Sequence, residues 1–297
     1  MTSRGIGAAV ARAALTGAAS AAVSRQLLRR WAGPSGARPR ASRDRWTRAN
    51  HRGEPISLLE GPAFAVAAGV GVALAPGIPA RVRAAALVAG AAAAGLGAYD
   101  DHAEQQVRKG LAGHLGALAR GEITTGAVKV LGLTSSGLVA SALMRSTRER
   151  SGTRVRDVLD VLAGGAVVAG SANLVNLLDL RPGRAVKATL LAAPFVGGGV
   201  PVAAATAGAA LGVLPEDLAE RTMLGDTGAN AAGALLGVAA LVSARRRGRW
   251  ALLAALVALT VASEKVSFTR VIESTPLLRE LDAWGRRPPG LPPVTAG

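Results

Sequence analysis

The sequence predicts an all-α fold, a polytopic transmembrane bundle of about nine or ten helices. Half of the 297 residues are hydrophobic, and long apolar runs that carry almost no charge alternate with loops rich in arginine. A bilayer requires this segregation, because it excludes unpaired charges from its interior. Aromatic residues make up only 3% of the chain, so an alanine-rich soluble helical protein is the competing interpretation.

Nine apolar segments are candidate membrane spans, and several are shorter than the roughly 20 residues that a perpendicular helix needs. They are residues 5–24, 57–76, 82–99, 126–144, 158–178, 185–198, 199–214, 229–243 and 249–263. We expect residues 1–263 to form one membrane domain. Residues 264–297 should add a cytoplasmic amphipathic helix and a disordered tail.

Alternation of the spans places the carboxyl tail and four loops on one side of the membrane. These loops are residues 25–56, 100–125, 179–188 and 215–228. More than half of the 35 Lys and Arg residues lie on that side, so the positive-inside rule predicts that it is cytoplasmic. Two loops on the opposite side are also basic, which the sequence does not explain: residues 145–156 and 244–250.

The net charge of +16 suits an anionic partner. No nucleic-acid-binding motif accompanies the arginines, which flank apolar spans, so membrane lipids or a phosphorylated substrate are the expected partners and nucleic acid is not. The chain contains no cysteine, which excludes disulfides, thiolate chemistry and cysteine-ligated metals.

Polar side chains gather at the span ends on the predicted cytoplasmic side. Three polar residues follow one another at i, i+3 spacing, which places them on nearly the same face of a helix: Asn173, Asn176 and Asp179. Four carboxylates lie at span ends: Asp100, Asp101, Asp179 and Asp226. Such hard oxygen ligands suit Mg²⁺, which usually completes its coordination with water and substrate phosphates. Lysines nearby in sequence, Lys109 and Lys129, could neutralise phosphate oxygens. Each group also has a structural interpretation that remains open. The alternatives are a solvated helix end for Asp100 and Asp101, a helix cap for Asp226, interhelical hydrogen bonds for Asn173 and Asn176, and a snorkelling side chain for Lys129.

The ordered motifs YDDH (99–102) with KGL (109–111), NLVNLLDL (173–180) and LGDTGAN (224–230) resemble those of a known superfamily. It is the polyprenyl-phosphate N-acetylhexosamine-1-phosphate transferase superfamily, which includes the phospho-N-acetylmuramoyl-pentapeptide translocase and UDP-N-acetylglucosamine-1-phosphate transferases. The segment RANHRG (48–53) is also similar to the first cytoplasmic loop of the family. The resemblance covers roughly residues 45–245.

The resemblance implies Mg²⁺-dependent transfer of a sugar 1-phosphate from a UDP-sugar to polyprenyl phosphate, with release of UMP. This reaction would serve bacterial cell-wall or surface-glycan synthesis at the cytoplasmic face of the plasma membrane. The motifs assign Asp226 as the metal ligand, and Asp100 and Asp101 as the residues that position or deprotonate the lipid phosphate. The implied substrate-binding residues are Lys109, Lys129, Asn173, Asn176 and Asp179. A homodimer is left open, as is the choice between direct attack and a phospho-aspartate intermediate.

Two departures from the family pattern support a different interpretation. Pro182 stands where relatives usually have a second aspartate, and the stretch from 263 to 286 contains no histidine, whereas relatives have a histidine-rich motif there. A non-catalytic membrane paralogue that binds lipids or serves as a scaffold is therefore the alternative. A transporter is a weaker candidate, because its polar residues should lie in the middle of the spans.

Overall fold

A computed structural model describes residues 3–32, 45–103, 125–145, 153–196 and 199–288. The predicted all-α class is confirmed, since this part of the chain forms eleven α-helices and two short strands. The elements are α1 Ser3–Ala32, β1 Thr47–Ala49, β2 Pro55–Ser57, α2 Glu60–Leu74, α3 Ala80–Ala103, α4 Thr125–Met144, α5 Arg154–Leu178, α6 Arg184–Ala192, α7 Val200–Leu218, α8 Gly225–Ser243, α9 Arg246–Lys265, α10 Phe268–Ser274 and α11 Pro276–Ala283.

Several helices have the length and composition of membrane spans. In the described part of the chain four helices are long and apolar enough to cross a membrane: α1, α3, α4 and α5. A fifth is counted if α9 and α10 form one bent span, and α2 is a shorter apolar helix. Each of the nine apolar segments named above overlaps a helix. These helices support a multi-pass membrane protein.

Helix α8 forms the centre of the bundle and packs against α2, α3, α5 and α7. Most residues of α8 are buried, and nearly all of these buried residues are alanine, glycine, leucine or valine. Small residues allow the neighbouring backbones to approach closely, which is how helices associate in membranes. At Gly97 of α3, an added Cβ would lie 2.2 Å from the backbone oxygen of Asp226. Substitution of Gly97 would therefore push α3 away from the start of α8.

The predicted loop of residues 25–56 contains most of a β-hairpin, which was not predicted from the sequence. Its turn is stabilised by Asn50, whose Oδ1 accepts hydrogen bonds from the backbone N–H groups of Arg52 (2.8 Å) and Glu54 (3.0 Å). Gly53 supplies the left-handed conformation with φ of 77°. Strand β2 then pairs with the α7–α8 loop, since the Ser57 N–H donates to the Arg221 carbonyl at 3.1 Å. The hairpin is thus fastened to the loop that precedes α8.

Several predicted boundaries differ from the observed ones. Helix α3 extends to Ala103 and α1 extends to Ala32, so the predicted loops of residues 100–125 and 25–56 begin inside helices. The candidate span 185–198 contains only the nine-residue helix α6 and a 3₁₀ turn, Ala193–Phe195, within its described part. Pro194 lies in this turn and cannot donate the next helical hydrogen bond.

Two basic loops at the other end of the bundle, which the sequence did not explain, are partly neutralised by acids of α5. Arg145 pairs with Asp157 at 2.6 Å, and Arg246 pairs with Asp160 at 3.0 Å. These ion pairs link α5 to the end of α4 and to the start of α9.

Candidate functional site

Polar residues from four helices meet at one end of the bundle. The last turn of α3 carries Asp100 and Asp101, and the first turn of α8 carries Asp226. Lys129 lies in the second turn of α4, and Asp179 directly follows α5. Asn176 lies in the last turn of α5 and Asn230 in the second turn of α8. We call the following six residues the acid cluster: Asp100, Lys129, Asn176, Asp179, Asp226 and Asn230.

Lys129 joins two carboxylates that are far apart in sequence. Its Nζ donates to Oδ2 of Asp100 at 2.9 Å and also to Oδ2 of Asp226. The three side chains are only 15–22% exposed, so their charges attract one another more strongly than they would in bulk water. The structure therefore brings together three of the residues that the sequence assigned to the site.

Asp101 has a different environment from its neighbour Asp100. Its Oδ1 accepts a hydrogen bond from the backbone N–H of Asp226 (3.0 Å), and its Oδ2 accepts from the N–H (2.9 Å) and the hydroxyl of Thr227 (2.6 Å). Asp101 is only 3% exposed. It thus caps the amino terminus of α8, where unpaired N–H groups favour a negative charge. The role in handling a lipid phosphate stays a prediction, and the observed contacts are those of a positioning residue.

Asp179 and two asparagines present oxygen atoms that lack hydrogen-bond partners. Within the described part of the chain, Oδ2 of Asp179 and the Oδ1 atoms of Asn176 and Asn230 are buried and unpaired. Asn230 is oriented by its Nδ2, which donates to the Asp226 carbonyl at 2.8 Å. Burial raises the pKa of the Asp179 carboxyl well above its usual value, and the charges of Asp217 and Asp226 raise it further. Such unpaired oxygens are energetically costly unless a cation or a donor approaches them.

The acid cluster offers oxygen donors for a cation, although the described residues form no complete metal site by themselves. Among the described residues, no three carboxylates or imidazoles are grouped as a metal site by themselves. Mg²⁺ commonly uses one or two carboxylates together with water and phosphate oxygens. The Asp226 carboxylate and the unpaired oxygens of Asp179 and Asn230 are donors of the type that this ion prefers.

One of the predicted substrate-binding residues, Asn173, does not join the acid cluster in the structure. Lys109 lies outside the described residues. Asn173 is directed toward α9, where its Nδ2 donates to the hydroxyl of Thr260 at 3.4 Å. This contact matches the interhelical hydrogen bond that the sequence left open for Asn173.

Other polar residues at this end were not assigned from the sequence. Asn230 follows Asp226 by one helical turn, and this i, i+4 spacing was the signal that could have identified it. Glu60 and Asp217 are buried acids that hold the surrounding loops. Glu60 accepts a hydrogen bond from the hydroxyl of Thr222, and Asp217 accepts one from the N–H of Gly183 at 2.9 Å. Their sequence context has no pattern that predicts these contacts.

Comparison of the chain with protein-family models and with curated proteins found no match.

Proposed function

We propose that the protein is a Mg²⁺-dependent membrane transferase that moves a sugar 1-phosphate from a UDP-sugar to polyprenyl phosphate and releases UMP. The observation that carries this proposal is the acid cluster at one end of the bundle. Lys129 is shared there by Asp100 and Asp226, and unpaired oxygens of Asn176, Asp179 and Asn230 lie at the adjoining helix ends. The motifs that resemble the superfamily contribute all of these residues except Lys129.

Each side chain has a role that its contacts allow. Asp226, with Asp179 and Asn230, would hold Mg²⁺, which neutralises charge on a diphosphate when it is bound. Lys129 would exchange a carboxylate contact for a phosphate oxygen and stabilise the charge that develops on the leaving UMP. Asp100 lies within reach of the same lysine and would orient the lipid phosphate or accept its proton. Asp101 would keep α8 and Asp226 in position.

The transfer forms one phosphorus–oxygen bond and breaks another. An oxygen of the lipid phosphate attacks the phosphorus that carries the sugar, and the bond between this phosphorus and the oxygen of UMP breaks. A covalent aspartyl-phosphate step is an equivalent alternative. We further propose that the acid cluster faces the cytoplasm at a bacterial plasma membrane, in a pathway that builds a cell wall or a surface glycan.

A second candidate function is that of a non-catalytic, lipid-binding paralogue or scaffold. It is favoured by the contact between Lys129 and Asp226, because the ammonium group already neutralises the proposed metal ligand. Pro182 and the absence of histidine from residues 263–286 also favour it. The unpaired oxygens of Asn176, Asp179 and Asn230 count against it, because they are acceptors that a bound cation or a donor on a ligand would satisfy.

The two functions are separated by an assay of UMP release. Purified protein is incubated with radiolabelled UDP-N-acetylglucosamine and polyprenyl phosphate, with and without Mg²⁺, and further UDP-sugars are tested in the same way. The transferase produces UMP and a labelled lipid only when Mg²⁺ and the lipid phosphate are both present. Absence of UMP release with every UDP-sugar, from protein that remains folded, would favour the scaffold.

A further inference from the structure

The last two helices turn away from the bundle and lie across its end. Helix α10 is bent by 89° relative to α9, and α11 follows α10 after a single residue, Thr275. If α9 crosses the membrane, α10 must therefore run nearly parallel to the membrane plane. We call α10 and α11 together the foot helices.

One exposed face of α11 is apolar. Leu277, Leu281 and Trp284 follow one another at spacings of four and three residues, so they share one helical face. They are 66%, 42% and 71% exposed, respectively. Exposed valines and leucines on α9 extend the same kind of surface, and they include Val257, Leu259 and Val261.

The opposite side of α11 carries charge toward the protein. Asp282 receives two hydrogen bonds from the guanidinium of Arg184, at 2.7 and 3.2 Å, and one from Arg286 at 2.9 Å. The Lys187 ammonium donates to the carbonyls of Asp282 (2.6 Å) and Trp284 (3.1 Å). Burial alone would raise the pKa of Asp282, but Arg184, Arg286 and Lys187 lower it more, so the net shift is downward.

A second acid fastens the chain that follows α11. Glu220 is fully buried and accepts hydrogen bonds from Arg52 (3.2 Å), Arg286 (3.4 Å) and Arg287 (3.2 Å). Arg287 also pairs with Glu54 of the hairpin. We call Glu54, Glu220, Asp282 and their four arginines the arginine cluster; the arginines are Arg52, Arg184, Arg286 and Arg287.

Helix α11 is therefore amphipathic, with Asp282 paired on the protein side and an exposed stripe of leucine and tryptophan on the other side, while Arg279 and Glu280 are exposed as well. An exposed apolar stripe of this kind marks a membrane or protein partner. The perpendicular bend and the apolar surface of α9 favour a lipid surface over a protein. An in-plane helix with an outward tryptophan suits the boundary between headgroups and acyl chains.

We propose that the foot helices rest in the phospholipid interface at the end of the bundle that carries the acid cluster. Leu277, Leu281 and Trp284 enter the acyl boundary, while the exposed charged side chains of α10 and α11 stay at the level of the headgroups. The ion pairs of the arginine cluster connect the foot helices to the β-hairpin and to the loop before α8. The acid cluster is thereby held at the level of lipid phosphates, and the proposal does not depend on which reaction occurs there.

Single cysteines can test this placement without other changes, because the chain has no cysteine. Nitroxide labels are attached to Leu277→Cys, Leu281→Cys and Arg45→Cys in vesicles of phosphatidylcholine and phosphatidylglycerol. Oxygen, which concentrates in lipid, and a water-soluble nickel chelate are used as relaxation probes. Arg45 lies on the exposed start of the hairpin and is the matched position on the water side.

At Leu277 and Leu281 we expect oxygen accessibility to exceed accessibility to the nickel chelate, and at Arg45 we expect the reverse. The labels should lie roughly 5–10 Å below the headgroup level. Equal access of the nickel chelate to all three labels would place the foot helices in water and overturn the proposal. Exclusion of both probes from Leu277 and Leu281 would show that protein, such as a second copy, covers this face, and would overturn it as well.

Discussion

The acid cluster and the arginine cluster lie at the same end of the bundle but satisfy their charges differently. In the arginine cluster, both carboxylate oxygens of Glu220 and of Asp282 accept hydrogen bonds from guanidinium groups. In the acid cluster, oxygens of Asn176, Asp179 and Asn230 have no partner among the described residues. The comparison teaches that fully paired carboxylates hold loops in place, even though Nε of Arg286 and of Arg287 is buried without a partner, whereas unpaired acceptor oxygens have capacity for a cation or a donor.

Loss of the Glu220 charge should have the largest effect on stability. Glu220→Gln removes the buried carboxylate that Arg52, Arg286 and Arg287 share, so we expect the free energy of unfolding to fall by about 3 kcal/mol. Glu216→Gln is the control, because the Glu216–Arg221 pair is about one third exposed and should contribute less than about 1 kcal/mol. The measurement is thermal unfolding in detergent. Equal stability of the two variants would mean that the arginine cluster does not anchor the foot helices.

Loss of the Asp226 charge should abolish function with little effect on the fold. We expect Asp226→Asn to reduce UMP release by about 100-fold or more, because a charge needed at the reacting phosphates is lost. Asp160→Asn, in the pair with Arg246 at the other end, should retain activity. An unchanged rate of UMP release in folded Asp226→Asn would contradict the assignment of Asp226 to the metal.

Substitution of the two adjacent acids of α3 should affect stability in one case and activity in the other. Asp101→Ala removes three hydrogen bonds at the start of α8 and should lower the free energy of unfolding by about 2 kcal/mol. Asp100→Ala should cost less stability, since Asp100 is only partly buried, and should lose more activity per folded molecule. The measurements are unfolding and UMP release on the same preparations. Equal losses of stability and of UMP release in the two variants would contradict the assignment of Asp101 to helix capping and of Asp100 to catalysis.

Removal of Lys129 should affect activity and cation binding in opposite directions. In Lys129→Met we expect UMP release to fall about tenfold, because a charge-assisted contact to phosphate is lost. Divalent cation affinity should rise, because the ammonium no longer competes for Asp226. Thermal stabilisation by Mg²⁺ in the absence of substrate reports the affinity. Weaker stabilisation by Mg²⁺ in this variant than in the unchanged protein would show that Lys129 does not compete with the cation.

The sequence predicted the helices and the gathering of the acids better than it predicted individual contacts. Apolar runs and their alternation placed Asp100, Asp179 and Asp226 at a common end. The rotation of α3 decides that Asp101 rather than Asp100 caps the backbone N–H groups of α8, and a helix surface of alanine and glycine gives no periodic signal for it. The arginine cluster joins Arg52 to Glu220 across 168 positions, and such long-range pairing has no local pattern. The hairpin was missed although Asn50 and Gly53 are typical turn residues.

Binding of Mn²⁺, a spectroscopic substitute for Mg²⁺, tests the central claim most directly. Electron paramagnetic resonance counts the ions bound to the unchanged protein, to Asp226→Asn and to Glu220→Gln, each checked for folding, in the presence of UDP-N-acetylglucosamine. We predict one bound ion in the unchanged protein and in Glu220→Gln, and none in Asp226→Asn. Equal binding by folded Asp226→Asn, or no binding by the unchanged protein, would contradict a metal-dependent site in the acid cluster.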